Sequence, residues 1–162
     1  MFDSATDDRH GTHMAGIIAA KGNNSPGVVG VTWQAKVTPA KFIGPNNFGY
    51  TSDAIEAINY AVANGAKISN NSYGRFPYSQ AMLDAIRAAD ARGHLYVTSA
   101  GNAAANNDAT AHYPSNYDSP NFLVVAATGH ADALAIFSSY GATSGDPAAP
   151  GVGITSTVLG NA

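Results

Sequence analysis

Between residues 52 and 127 the apolar spacing of this chain switches period again and again, and that limits the fold more than anything else in the sequence. Ser52 to Asn64 carries Ile55, Ile58 and Val62 at helical spacing, with Ser52 as the expected N-cap and Gly65 placed to stop the helix. Lys67 to Asn71 then reads as a short strand. Ser79 to Arg92 returns to the helical period, with Met82, Leu83, Ile86 and Ala89 on one face and Gly93 behind it. His94 to Ser99 is strand-like again, and Phe122 to Ala127 is a continuous apolar run of the fully buried type. Outside this stretch, His10 to Lys21 reads as a helix in which Gly11 and Gly16 need a reason such as close approach. Lys36 to Ile43 reads as a strand, and Ile154 to Val158 is strand-like. Helices that alternate with strands argue for an α/β fold with a mostly parallel sheet, because parallel neighbours need a crossover that a helix supplies.

The composition removes several classes of function. A net charge of −3 leaves no basic stripe, so nucleic-acid binding has no electrostatic footprint. The absence of cysteine excludes disulfides, thiolate metal sites and cysteine nucleophiles. No apolar run reaches the length of a membrane span, so no membrane partner is expected. Met1 to Arg9 is acidic and polar, unlike a signal or transit peptide.

Four strings carry residues suited to chemistry. The first, Asp8-Arg9-His10-Gly11-Thr12-His13-Met14-Ala15-Gly16, puts two histidines three apart at a helix start. That pair fits a helix cap with a packed imidazole, two ligands of a metal on one helix face, or a general base beside a glycine that lets substrate approach. No further ligand stands at a characteristic metal spacing. In the second, Val97-Thr98-Ser99-Ala100-Gly101-Asn102, a strand runs into a glycine turn. The turn either is ordinary or presents the Asn102 amide in the crevice at the carboxyl end of a parallel sheet. The third, Ile68 to Gly74, is a strand end with a polar turn. The fourth, Gly22 to Gly30, is an asparagine- and glycine-rich turn.

Taken in order, these strings resemble the subtilisin-like serine proteases, the subtilases. His10 to Gly16 matches the family's H-G-T-H-[VM]-A-G signature at seven consecutive positions. Ala111 to Tyr117 resembles its "YPA-x-Y" string, whose proline follows a bond that is often cis, so Tyr113-Pro114 is the expected site. Phe137 to Gly141 and Asp146 to Gly151 resemble its "FSS-x-G" and "D-x-x-APG" strings. The resemblance spans nearly the whole chain. It implies a three-layer, doubly wound, mostly parallel sheet with helices on both faces, present in incomplete form as a partial peptidase domain over residues 1–162.

The resemblance also implies roles. His10 would be the catalytic base, His13 would support the fold, and Asn102 would donate to the oxyanion. Ser72, Tyr73 and Gly74, with Ala100 and Gly101, would bind the backbone of a peptide or protein substrate by strand addition. Tyr73 is expected to narrow the groove and Gly74 to leave room for a substrate side chain. No organic cofactor is implied. Structural Ca2+ would draw on the Asn24 side chain and carbonyls near Lys21, Pro26 and Val28, but other ligands of the family's site come from segments not found here. The family's location implies a secreted parent.

Two strings of the family are not found. In the chain order aspartate, histidine, serine, the aspartate lies in a D-[ST]-G string, and Asp3, Asp7 and Asp8 stand in another context. The serine lies in a G-T-S-M-A string after the "APG" turn. Gly141-Ala142-Thr143-Ser144-Gly145 precedes that turn and has no apolar helix after it, so Ser144 is rejected as nucleophile. The expectation is a serine endopeptidase family member whose 162 residues alone are inactive. The alternative is a non-catalytic domain of the same fold used for peptide binding or assembly.

Overall fold

The computed structural model describes residues 9–25, 27–44, 47–74 and 77–160, so the expectations placed on Asp3, Asp7, Asp8 and Pro26 lie outside the described residues. The chain divides into two compact units. One comprises Met1–Tyr50 with Ile154–Ala162, the other Thr51–Gly153.

In the first unit, α1 (Arg9–Ala19) forms as the histidine string predicts. Gly16 is its buried residue, and a Cβ there would run into the hydroxyls of Ser156 and Thr157. Those hydroxyls donate to the carbonyls of His13 (2.6 Å) and Thr12 (2.8 Å). Gly16 is therefore the close-approach glycine that the sequence called for. Ile154 to Val158 is not a strand: its Ser156 and Thr157 side chains bond to a helix, and among the described residues no ladder forms along it. Lys36 to Ile43 is not a strand either. Extended backbone becomes a strand only when a neighbour completes its ladder. This segment is not one of the strands of the described sheet, and its side chains from Lys36 to Lys41 are exposed.

The second unit holds the α/β core. Its elements are α2 (Thr51–Ala63), β1 (Ile68–Asn71), α3 (Gln80–Asp90), β2 (Leu95–Ser99), β3 (Phe122–Thr128) and β4 (Ala148–Pro150). The four strands lie in the order β1-β2-β3-β4 and every pairing is parallel, as the alternation predicts. Helix α2 starts at Thr51, one residue before the expected cap, with Asp53 in its first turn complementing the helix dipole. It stops at Gly65, whose φ of +83° suits glycine and whose N–H donates to the Val62 carbonyl. Ser79 caps α3 by accepting from the Met82 N–H at 3.3 Å. The expected face of Met82, Leu83, Ile86 and Ala89 is buried, and α3 packs against α2 and β2. Strand β3 differs from its expectation. Only Val124 is buried and the rest is half-buried, because the helix packing of this unit falls on β2.

Candidate active site

The candidate residues fall in both units. His10 and Asn24 belong to the first; Ser72, Tyr73, Gly74, Ala100, Gly101 and Asn102 belong to the second.

His10 stands in the first turn of α1, exposed, with no hydrogen-bond partner among the described residues. A Cβ built on Gly11 would meet nothing within 4 Å, so the surface beside His10 is open. His13 is half-buried one turn on.

The Asn102 turn is built from backbone bonds. Ser99 ends β2, and Gly101 has φ +104°, which a side chain rarely tolerates. The turn is held from both sides. Ala100 N–H donates to Val125 O (2.9 Å), and Ala100 O accepts from the buried Asn107 amide (2.8 Å). The "FSS-x-G" string lies against it: Ser139 N–H donates to Gly101 O (2.9 Å), Ala103 N–H to Ser139 Oγ (3.2 Å), and Ala104 N–H to Phe137 O (2.9 Å). Asn102 itself is exposed, and its side-chain amide has no partner among the described residues. The scaffold thus spends its hydrogen bonds on the neighbours and leaves this one donor available.

Ser72 to Gly74 continue from β1, an edge of the sheet. The end of β1 is locked to β2 by Thr98 Oγ1 donating to Asn71 O (2.9 Å) and Asn71 Nδ2 donating to Val97 O (3.2 Å). Asn70 Nδ2 donates to Ser72 Oγ at 2.9 Å. The Tyr73 hydroxyl lies 2.6 Å from that of Tyr96, a wholly buried residue stacked on Phe122, so Tyr73 anchors its segment to the core. Burial pushes the Tyr73 phenol up to about 12, against a weaker opposing effect of the Tyr96 hydrogen bond, and holds Tyr96 well above the ordinary range too. One expectation changes here: the space beside Gly74 is not vacant. A Cβ there would collide with the His112 ring.

His112 was visible in the sequence only as part of the "YPA-x-Y" string, whose Tyr113-Pro114 bond is indeed cis. Asn107 and Asn116, which brace the turn and the histidine, carried no signal. Among several nearby asparagines, only tertiary placement separates structural amides from free ones. Ser144 Oγ is buried beside the Asp108 carboxylate without the geometry of a hydrogen bond. Asp108 accepts from the N–H groups of Ala142 (2.7 Å) and Ser144 (2.9 Å) and from Thr143 Oγ1 (2.8 Å). The adjacent Ser144 hydroxyl, then the Thr143 hydroxyl and these N–H groups, hold the carboxyl below its usual range.

The loop around Asn24 offers a calcium ion only neutral oxygens. Residues 20–30 contain no aspartate or glutamate, and the Asn24 side chain is exposed. Among the described residues there is no group of three His, Asp or Glu side chains able to hold a metal. A hard dication takes carboxylate, carbonyl and amide oxygens together, so the carboxylates of a full site would come from other segments.

The family model described as "Subtilase family" matches residues 3–161. A thermophilic serine proteinase of Bacillus sp. (strain AK1) is 37% identical over 160 residues, which are 99% of this chain and 38% of that protein. Minor extracellular protease Epr of Bacillus subtilis (strain 168) is 36% identical over 156 residues, 94% of this chain and 23% of that protein. Among solved structures, the psychrophilic subtilisin-like protease Apa1 of the Antarctic psychrotroph Pseudoalteromonas sp. AS-11 superimposes with a TM-score of 0.83 at 33% identity. That match covers 95% of this chain and 34% of the other. The chain therefore has a subtilisin-like fold and spans well under half the length of these relatives.

Proposed function

The chain belongs to the subtilase family, and from that premise we propose that it carries the general base and an oxyanion donor of a serine endopeptidase. In this reading a serine Oγ attacks the peptide carbonyl carbon and His10 takes the hydroxyl proton. His10 then returns that proton to the leaving amine as the acyl-enzyme forms. The Asn102 side-chain N–H donates to the oxygen that becomes negative, and being neutral it adds no titrating charge. Ser72 to Gly74, with Ala100 and Gly101, hold the backbone of a peptide or protein substrate. The serine and the carboxylate that orients the imidazole are supplied from outside the strings present in residues 1–162. The working protein is secreted, in keeping with its similarity to minor extracellular protease Epr. No helix among the described residues is long and apolar enough to cross a membrane.

The observation that carries the reading is Asn102: an exposed amide, unpartnered among the described residues, on a turn whose neighbours are bonded. The DNA on both sides of this reading frame tests it. In-frame D-[ST]-G before and G-T-S-M-A after are expected, whereas stop codons on both sides would overturn it. The 162 residues alone are expected to show no peptide-ester turnover and no labelling by a fluorophosphonate. A label on Ser144 would refute the exclusion of that hydroxyl.

A further inference from the structure

Gly74 and Gly101 lie beyond the carboxyl ends of two adjacent parallel strands, β1 and β2, paired as far as Asn71 with Thr98. Crevices that receive ligands in open α/β sheets form outside such ends. One side chain fills the space that both glycines leave. A Cβ on Gly74 would collide with His112 Cε1 and stand 2.8 Å from Nε2, and a Cβ on Gly101 would stand 3.2 Å from the same Cε1 and 3.5 Å from Nδ1. The imidazole is thus seated against both strand ends by its Cε1 edge.

The ring is also held in place. Buried Ser115 donates its hydroxyl to the His112 carbonyl at 2.8 Å, so its oxygen accepts from Nδ1–H at 2.9 Å. The His112 N–H donates to Asn116 Oδ1 at 2.7 Å, and the Asn116 N–H returns to the His112 carbonyl at 2.8 Å. His94 shows what a core histidine looks like in this unit. It is 1% exposed, with Nδ1 on the Ala66 carbonyl and Nε2 on Ser69 Oγ. His112 differs in being half-buried, at strand ends and between two glycines.

We propose that His112 is a specificity-determining residue: its fixed imidazole fills the slot between Gly74 and Gly101 and limits the substrate side chain received there to about the size of alanine. This rests on the proposed reading of Ser72 to Gly74 and Ala100 to Gly101 as the substrate-binding segments. Removing the ring opens the slot to long and aromatic side chains.

The test uses the full 162-residue chain and fluorescent acetyl-alanyl tetrapeptide amides that differ only in a last residue of Ala, Phe or Glu, with binding read by anisotropy. Wild type is expected to bind the Ala peptide about tenfold more tightly than the Phe peptide, and His112→Gly to reverse that order, a step of the size that hydrophobic pockets achieve. Peptide binding with an order unchanged by His112→Gly overturns the role of His112 and leaves the groove standing. Preference of wild type for Glu overturns a limit set by size. Failure of every peptide to bind either protein overturns the groove, and the inference with it. A measurement on wild type covers the case in which the variant does not fold. The His112 Cε1–H resonance must shift on saturation with the Ala peptide, and a resonance that stays put refutes the proposal.

Discussion

Replacing Tyr73 by Phe tests whether the segment Ser72 to Gly74, proposed to bind substrate, is anchored through one buried hydroxyl pair. Tyr96 is wholly buried, and the Tyr73 hydroxyl, 2.6 Å away, is its hydrogen-bond partner. Tyr73→Phe keeps the ring and leaves the Tyr96 hydroxyl unsatisfied. An orphaned buried hydroxyl costs about 1–3 kcal/mol. At roughly 2–4 °C per kcal/mol for a chain of this size, a loss of about 2 kcal/mol lowers Tm by about 6 °C. Tyr96→Phe is expected to cost less, because Tyr73 is only half-buried. The stack of residue 96 on Phe122, with centroids 4.9 Å apart, survives in every variant. The double variant removes both hydroxyls and orphans neither, so it should return to within about 1 kcal/mol of wild type. Urea and thermal unfolding of the four proteins at neutral pH gives the coupling energy. Single losses that simply add, with a coupling below about 0.3 kcal/mol, would refute the reasoning.

The same pair predicts an alkaline weakness. Burial holds the folded-state pKa of Tyr73 up near 12, above its ordinary 10.0, so this stability is complete below pH 10 and is lost as pH rises toward 12. The double Phe variant should flatten the alkaline limb of the melting profile, and an unchanged limb would contradict the assignment. Gly16→Ala places a Cβ against the Ser156 and Thr157 hydroxyls and should cost about 1–3 kcal/mol in urea unfolding. Gly11→Ala meets open space in the same helix and should be neutral or stabilising by up to about 1 kcal/mol. The Asp108 carboxyl is held below its ordinary 3.8, so its contribution is present above that pH and disappears as pH falls below it. Asp108→Asn should flatten the acid limb of the melt, and a limb as steep as in wild type would exclude this carboxylate. Millimolar calcium is expected to leave Tm unchanged, and a clear rise that Asn24→Ala abolishes would show that the loop around Asn24 binds the ion.

Local pattern alone was enough to read the parallel α/β core. The α3 face of Met82, Leu83, Ile86 and Ala89, its Ser79 cap and the Gly65 stop are decided within a few residues of chain, by spacing and by backbone groups that a neighbour must satisfy. The H-G-T-H string and the glycine before Asn102 were legible for the same reason, since each is contiguous. Strand status at Lys36 to Ile43 and Ile154 to Val158 was not, because a strand depends on a partner that the segment itself does not contain. Nor could spacing say which way a side chain turns. The Tyr73 hydroxyl meets that of Tyr96, and His112, 38 positions beyond Gly74 in the chain, fills the space that this glycine leaves. The sequence by itself determined the family, the alternation and the exposed asparagine's turn. Only the tertiary structure decided what occupies the slot between the two strand ends, because that is a contact among three segments distant along the chain, each shaped by its own hydrogen bonds.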